Sequence, residues 1–147
     1  MKLVIGNEIQ KTERTAAIDN DNFEIYWEGL VFFMKTGEGE DSIRKLLDNL
    51  TPEDTPPEIV RKAAGLKGSF SLFVHNKKSD NWTIFSDHSH QQYIYYTDKA
   101  VSNTFLALKE ELGNEPAISQ EGTLSLLATG FYYNHQTLFQ DIRILDF

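Results

Sequence analysis

The apolar residues of this chain alternate, then recur at helical spacing, then alternate again, and that order of periods limits what it can fold into. Leu3 and Ile5 share one face of a short strand over residues 1–6. Residues 7–22 are polar and rich in turn formers, which reads as a long loop or a ragged hairpin. Phe23, Ile25 and Trp27 alternate with Glu24 and Tyr26; Glu28-Gly29 reads as a turn, and residues 30–34 as a second strand closing a hairpin. After Gly37 and Gly39, the residues Ile43, Leu46, Leu47 and Leu50 fall on one helical face. Thr55-Pro56-Pro57-Glu58 opens a second helix with a capping-box pattern and proline at the first helical position. Ile59, Val60 and Ala63 supply its buried stripe, and Gly65 is placed to end it.

From Leu66 the period returns to two. Phe70, Leu72 and Val74 alternate with Ser69, Ser71 and Phe73, residues 77–81 form a polar turn, and strands follow over 82–86 and 93–96. A helix begins at Asn103 or Thr104, with Phe105, Leu108 and Leu112 on its apolar side and Gly113 as its stop. Ser119 caps a last helix carrying Leu124, Leu127 and Ala128, with Gly130 just past its end, and residues 137–145 alternate as a final strand. Blocks of strands separated by helix pairs favour an α+β layered domain over an alternating parallel-sheet fold. Two stacked antiparallel sheets with helices outside would cover both faces of these apolar strands. The expectation is one domain over residues 1–147.

Composition narrows the function classes. The chain is 40% hydrophobic and 24% charged, as a folded domain should be. Its net charge of −8 argues against nucleic acid, because phosphate binding needs clustered Lys and Arg. No apolar run approaches the roughly 18 residues that span a bilayer, so no membrane partner is expected. With no cysteine there is no disulfide framework, thiolate metal site or cysteine nucleophile. A cytoplasmic location is the default expectation.

Four segments, taken in order, resemble a known family. Leu66-Lys67-Gly68-Ser69-Phe70-Ser71 is similar to its Leu-x-Gly-x-Phe-Ala strand. Phe85 to Tyr96 aligns without a gap to its Ala-Arg-Asp-Arg-x-Gly-x-Lys-Pro-Leu-Tyr-Tyr block, and residues 101–108 to its Phe-Ala-Ser-Glu-Ile-Lys-Ala-Leu. Gly130, Thr137, Phe139, Ile142 and Leu145 follow the spacing of its closing segment. The chain thus resembles the N-terminal glutaminase-like domain of the asparagine-synthetase family, well over a little more than half its length and loosely over residues 23–50. The resemblance implies an Ntn-hydrolase-like fold, a four-layer α-β-β-α sandwich of two antiparallel sheets. It also implies an ATP-dependent synthetase domain as partner, C-terminal in the same protein or on a separate chain.

The chemistry of that family is missing its parts. Its nucleophile is a cysteine freed at the N-terminus, whose α-amino group acts as base. Position 2 here is Lys2, a vacated nucleophile position, and so large a side chain blocks removal of Met1. The Arg that holds a substrate carboxylate has no counterpart motif in residues 7–22, which offer only Arg14. The oxyanion turn, Asn-Gly-Glu in the family, has as its nearest candidate Trp27-Glu28-Gly29, with Glu and Gly reversed and no Asn. Asp41 corresponds to the amine-binding acid, although a place as N-cap of the first helix would explain it as well. Glu28, Gly29, Asp41 and Asp87 are therefore a possible remnant pocket, with no catalytic residue, no cofactor and no metal.

Blander readings account for the other candidates. His88 and His90 flank Ser89 after Asp87, but no third strong ligand is identifiable, so a solvated loop is the simpler reading. Gly68-Ser69 as a self-cleaving junction is weaker than a glycine required by close strand packing. No Gly-x-Ser-x-Gly elbow is present. Tyr93, Tyr95 and Tyr96 suit strand packing, while Tyr132 and Tyr133 are candidates to line a surface groove. The functional expectation is a catalytically degenerate amidotransferase-like domain serving as a structural or docking module. A peptide or small-molecule binding module in the vacated pocket is the first alternative, and a residual amidohydrolase with an unidentified nucleophile the second. Since the chain has no Ser-Gly-Gly-x-Asp-Ser pyrophosphate loop, it is expected to be either an N-terminal portion of a longer protein or a stand-alone remnant. The sequence is silent on oligomeric state.

Overall fold

A computed structural model describes residues 3–6, 9–11, 15–33, 39–87, 92–113, 115–133 and 135–145. Among them the chain is α+β, with two antiparallel sheets and four helices. They divide into two compact units, one formed by Thr15–Gln92 and the other by the segments on either side of it.

Within Thr15–Gln92, strands β3 (Ala16–Asp19), β4 (Phe23–Phe33), β5 (Leu66–Asn76) and β6 (Asn81–Ser86) form a sheet in the order β3-β4-β5-β6. Helices α1 (Glu40–Asn49) and α2 (Pro56–Ala63) lie between β4 and β5 in sequence. Their buried Ile43, Leu46, Leu47, Ile59 and Ala63 enter one cluster with Phe23, Ile25, Trp27 and Val31 of β4 and Phe70, Leu72 and Val74 of β5. Period-two alternation therefore gives this sheet a helix-covered face and an opposite face that carries Glu24, Tyr26 and Glu28. α2 starts as expected: the Glu58 carboxylate accepts the Thr55 backbone N–H at 2.8 Å and its hydroxyl at 2.7 Å. Lys62 Nζ joins the two helices, donating to the Asn49 carbonyl at 2.8 Å and to Asp54 Oδ2 at 2.5 Å. Val60 is exposed, so the α2 stripe is narrower than its sequence suggests.

The expected β-hairpin at Glu28-Gly29 does not exist. β4 runs straight through that pair for 11 residues, in unbroken register with β5 from Phe23↔Asn76 to Phe33↔Leu66. Gly29 has the positive φ of a turn residue, 96°, but spends it on a close approach between strands. Residues 7–22, read as loop or ragged hairpin, contain β2 (Ile9–Lys11) and β3 among their described positions.

The second unit holds a sheet in the order β2-β1-β8-β7-β9, with β1 Leu3–Ile5, β7 Tyr95–Tyr96, β8 Val101–Ser102 and β9 Arg143–Ile144. β1 pairs with β2 on one side and with β8 on the other. Its small core gathers Val4, Ala100, Ala107, Leu108 and Ile142, against which Phe105 and Phe139 stack with centroids 5.4 Å apart. Helix α3 (Phe105–Glu111) contributes Ala107 and Leu108 to that core.

Helix α4 (Gln120–Thr129) has the caps its sequence suggests. Ser119 Oγ accepts the Gly122 N–H at 3.0 Å, and Gly130 closes the helix in the left-handed conformation. Gly122 packs so tightly on Thr137 that an added Cβ would lie 1.9 Å from the Thr137 carbonyl oxygen, while Leu124, Leu127 and Ala128 are exposed. The final strand is also shorter than the alternation over 137–145 implies. Buried Thr137 turns the chain instead, its hydroxyl reaching the carbonyls of Ile142 at 2.6 Å and Phe139 at 3.1 Å. Among the described residues no helix is long and apolar enough to cross a membrane.

Candidate functional site

Three of the four candidate residues meet at one corner of the β4–β5–β6 sheet. Gly29 lies opposite Phe70 on β5, and Phe70 in turn faces Asp87 at the end of β6. Gly29 and Gly68 sit diagonally about the Leu30↔Ser69 pair, each with positive φ. A Cβ on Gly29 would fall 2.1 Å from the Ser69 carbonyl oxygen, and one on Gly68 2.0 Å from the Leu30 carbonyl oxygen. The two strands thus approach so closely here that neither glycine position has room for a side chain.

Asp87 holds the other edge of the same corner. Its backbone N–H donates to the Phe70 carbonyl at 3.0 Å, and its Oδ1 accepts the Phe70 N–H at 3.1 Å. The carboxylate is buried and takes the place of the next ladder bond beyond β6. That is a structural use for an acid the resemblance would place beside a substrate.

Glu28 stands one rung away, on the sheet face opposite α1 and α2. It pairs with Ser71, which pairs with Ser86, so the three side chains share one rung of one face. Ser71 is fully buried and its Oγ has no hydrogen-bond partner among the described residues. Ser86 Oγ reaches the Asp87 carbonyl at 3.4 Å. This polar rung was not anticipated, because it becomes visible only once the register of three strands is known.

Asp41 does not join the corner. It lies in the first turn of α1, exposed, on the helix-covered side of the sheet. Nor is it the N-cap: that position belongs to Gly39, whose N–H donates to the Val31 carbonyl at 2.8 Å. The acid's place is explained by the positive end of the helix dipole, which Glu40 also meets. Lys2, Arg14, His88 and His90 lie outside the described residues. Of the other histidines, His75 stacks on Trp82 at 4.4 Å with Nε2 2.9 Å from Asp80 Oδ1. The His135 carbonyl accepts the Ile144 N–H at 2.9 Å. No group of three or more metal-capable side chains occurs among the described residues.

The perturbed ionisable groups do not offer acid–base catalysis at neutral pH. Burial, with the hydrogen bond to Glu24, pushes the Tyr26 phenol well above its ordinary value, and burial beside Tyr93 and Tyr132 raises Tyr95. Glu53 and Glu58 are held below the ordinary carboxylate value, by hydrogen bonds from Lys78 and from Thr55 respectively. Asp54 is lowered too: its burial works upward, but hydrogen bonds from Lys62 and Thr51 outweigh it. Each of these shifts runs away from neutrality, the reverse of what a general acid or base requires.

A separate groove of about 380 Å³ lies in the second unit, where Glu121, His135, Gln136 and Arg143 line it beside Ser119. None of Glu28, Gly29, Asp41 and Asp87 belongs to it. Gln136 donates to Glu121 across it at 2.6 Å, and Ser119 Oγ is engaged as the α4 cap, so it presents no activated nucleophile. A scan against protein-family models, a search of curated proteins and a search of solved structures each returned no match for this chain.

Proposed function

We infer that the chain is a catalytically degenerate amidotransferase-like domain, of the asparagine-synthetase type and the four-layer Ntn-hydrolase-like arrangement. It serves as a structural or docking module for an ATP-dependent synthetase domain, on the same or a separate chain, in the cytoplasm. The observation that carries this reading is the close approach of β4 and β5 at this corner. The Gly of the would-be oxyanion turn is locked between strands, and Asp87 is spent on the Phe70 backbone. Support also comes from the absence of any cysteine among the 147 residues and from the order of strand and helix blocks. The test is glutamine hydrolysis by the purified chain, followed as released glutamate. No turnover above buffer is expected; turnover abolished by one substitution would refute the reading. A reading frame that encodes a pyrophosphate loop downstream, or in a neighbouring gene, would support the docking role.

A second reading, a binding module for a small polar molecule, is favoured by one observation, the buried Ser71 hydroxyl on the Glu28–Ser71–Ser86 rung. A buried hydroxyl without a partner costs about 1–3 kcal/mol, which a ligand or water would recover. Thermal-shift measurements with free amino acids and short peptides test it. The reading requires a stabilisation that Ser71→Ala removes, and no shift with any of them would end it.

A further inference from the structure

Helix α4 carries a face that nothing in its own unit explains. Leu124 and Leu127 fall at i and i+3 on the helix and are 67% and 79% exposed, and Phe131, just past the left-handed Gly130 that ends the helix, is 69% exposed. Tyr133, two residues on, is 55% exposed. This is a built surface and not a frayed end. The Ser125 hydroxyl donates to the Phe131 carbonyl at 2.8 Å, Thr129 Oγ1 accepts the Phe131 N–H at 3.3 Å, and the Gly130 N–H returns to the Leu126 carbonyl at 2.9 Å. Phe131 is thus held outward by the helix's own hydroxyls.

We propose that this stripe pairs with the same stripe of a second copy, α4 against α4 in antiparallel sense about a twofold axis near Leu127. Three features argue for a copy of the chain over a charged partner. From Gly122 to Gln140 there is no Asp, Glu, Lys or Arg, although 24% of the whole chain is charged. The one charge on that helix face is Glu121, at i−3 from Leu124 and engaged by Gln136, so two copies meeting about Leu127 do so without apposing like charges despite a net charge of −8 each. An apolar helix face is also self-complementary under a twofold axis, which sets Leu127 of one copy against its own equivalent. Antiparallel helix dipoles favour the same arrangement. Finally, four large apolar side chains bury roughly 500 Å² per copy, or about 1,000 Å² in all, the lower bound for a specific interface.

An interface of that size gives a reversible dimer with Kd on the order of 10–100 μM. Sedimentation of the chain between about 5 and 300 μM in roughly 150 mM salt should show the average mass rising from 16.9 kDa toward twice that value. Added salt should strengthen the pairing, since it screens the repulsion between two acidic copies and leaves the apolar contact intact. Leu127→Glu and Phe131→Glu should each weaken it at least tenfold. Leu106→Glu, at an equally exposed leucine on α3, should not, and circular dichroism should show all three variants folded. A monomer at every concentration overturns the proposal, as would hold if a synthetase domain covers the stripe instead. A dimer indifferent to Leu127→Glu and Phe131→Glu overturns it equally.

Discussion

Replacing Gly29 with alanine tests the corner on which the functional reading rests. Two costs act at once. At φ 96° an L-residue leaves its allowed region, which costs about 1–3 kcal/mol. The new Cβ also meets the Ser69 carbonyl oxygen at 2.1 Å, so β4 and β5 must separate by roughly an ångström, and they give up one or two ladder bonds worth about 1 kcal/mol each. Together these predict a loss of about 2–5 kcal/mol, a large share of the 5–15 kcal/mol that holds a typical domain folded. Gly39→Ala separates the two costs. Its φ is also positive, 56°, but its Cβ would meet nothing within 4 Å among the described residues, so only the conformational cost applies, about 1–3 kcal/mol. Urea unfolding followed by the fluorescence of buried Trp27 measures both, with the m-value as a check that the unfolded reference is unchanged. Gly29→Asn is informative as well: a turn would accept Asn, whereas this corner should reject it as firmly as Ala. If Gly29→Ala costs no more than Gly39→Ala, the strands are not in the contact described, and the argument that this glycine is structurally consumed fails with it.

The other expectations concern the same unit. Gly29→Ala and Gly68→Ala should be less than additive in combination, because both open the same strand pair; an additive double variant in urea unfolding would count against a shared close approach. Asp87→Ala should cost about 1–3 kcal/mol by stranding the Phe70 N–H, and Asp87→Asn, whose amide oxygen still accepts, should cost less; the reverse order would point to a role for the charge. Asp54 has a folded pKa below its unfolded one, so its stabilisation is complete above about pH 4 and disappears as pH falls through the depressed value. The difference in urea midpoint between the wild type and Asp54→Asn should therefore be smaller at pH 3 than at pH 6; a gap that stays constant would refute the assignment.

What the sequence revealed of this fold is what local physics decides. The α1 stripe, the Thr55–Glu58 start of α2, the strands on either side of residues 77–80 and the Ser119 and Gly130 caps depend on residues a few positions apart, and each was legible. The corner was not. Glu28-Gly29 has the composition of a turn, and only β5, more than thirty residues on, shows that the glycine is needed for contact between strands. Residues 137–145 alternate like a strand, but the Thr137 hydroxyl captures backbone carbonyls that a ladder would otherwise use. For α4 the sequence placed the helix and its caps but no buried face, because the helix is apolar on several sides and its pattern could not say which side the fold would choose. Of the candidate residues, Glu28, Gly29 and Asp87 lie near one corner of the sheet, whereas Asp41, drawn in as the counterpart of the family's amine-binding acid, lies in the first turn of α1.

The pairing of β1 with β8 has a consequence for how the protein is made. Leu3 and Val4 are almost completely buried in the finished molecule, yet Val101 and Ser102 leave the ribosome some hundred residues later. At 5–20 residues per second that is a wait of roughly 5–20 s. Throughout it, β1 has only β2 beside it, and a lone two-stranded pair is marginal in water. Thr15–Gln92 contains all four strands and both helices of its own core and is complete before β8 appears. The nascent chain thus acquires its middle first and its beginning last, holding out a short apolar N-terminal strand meanwhile for any trigger factor or stray edge that reaches it.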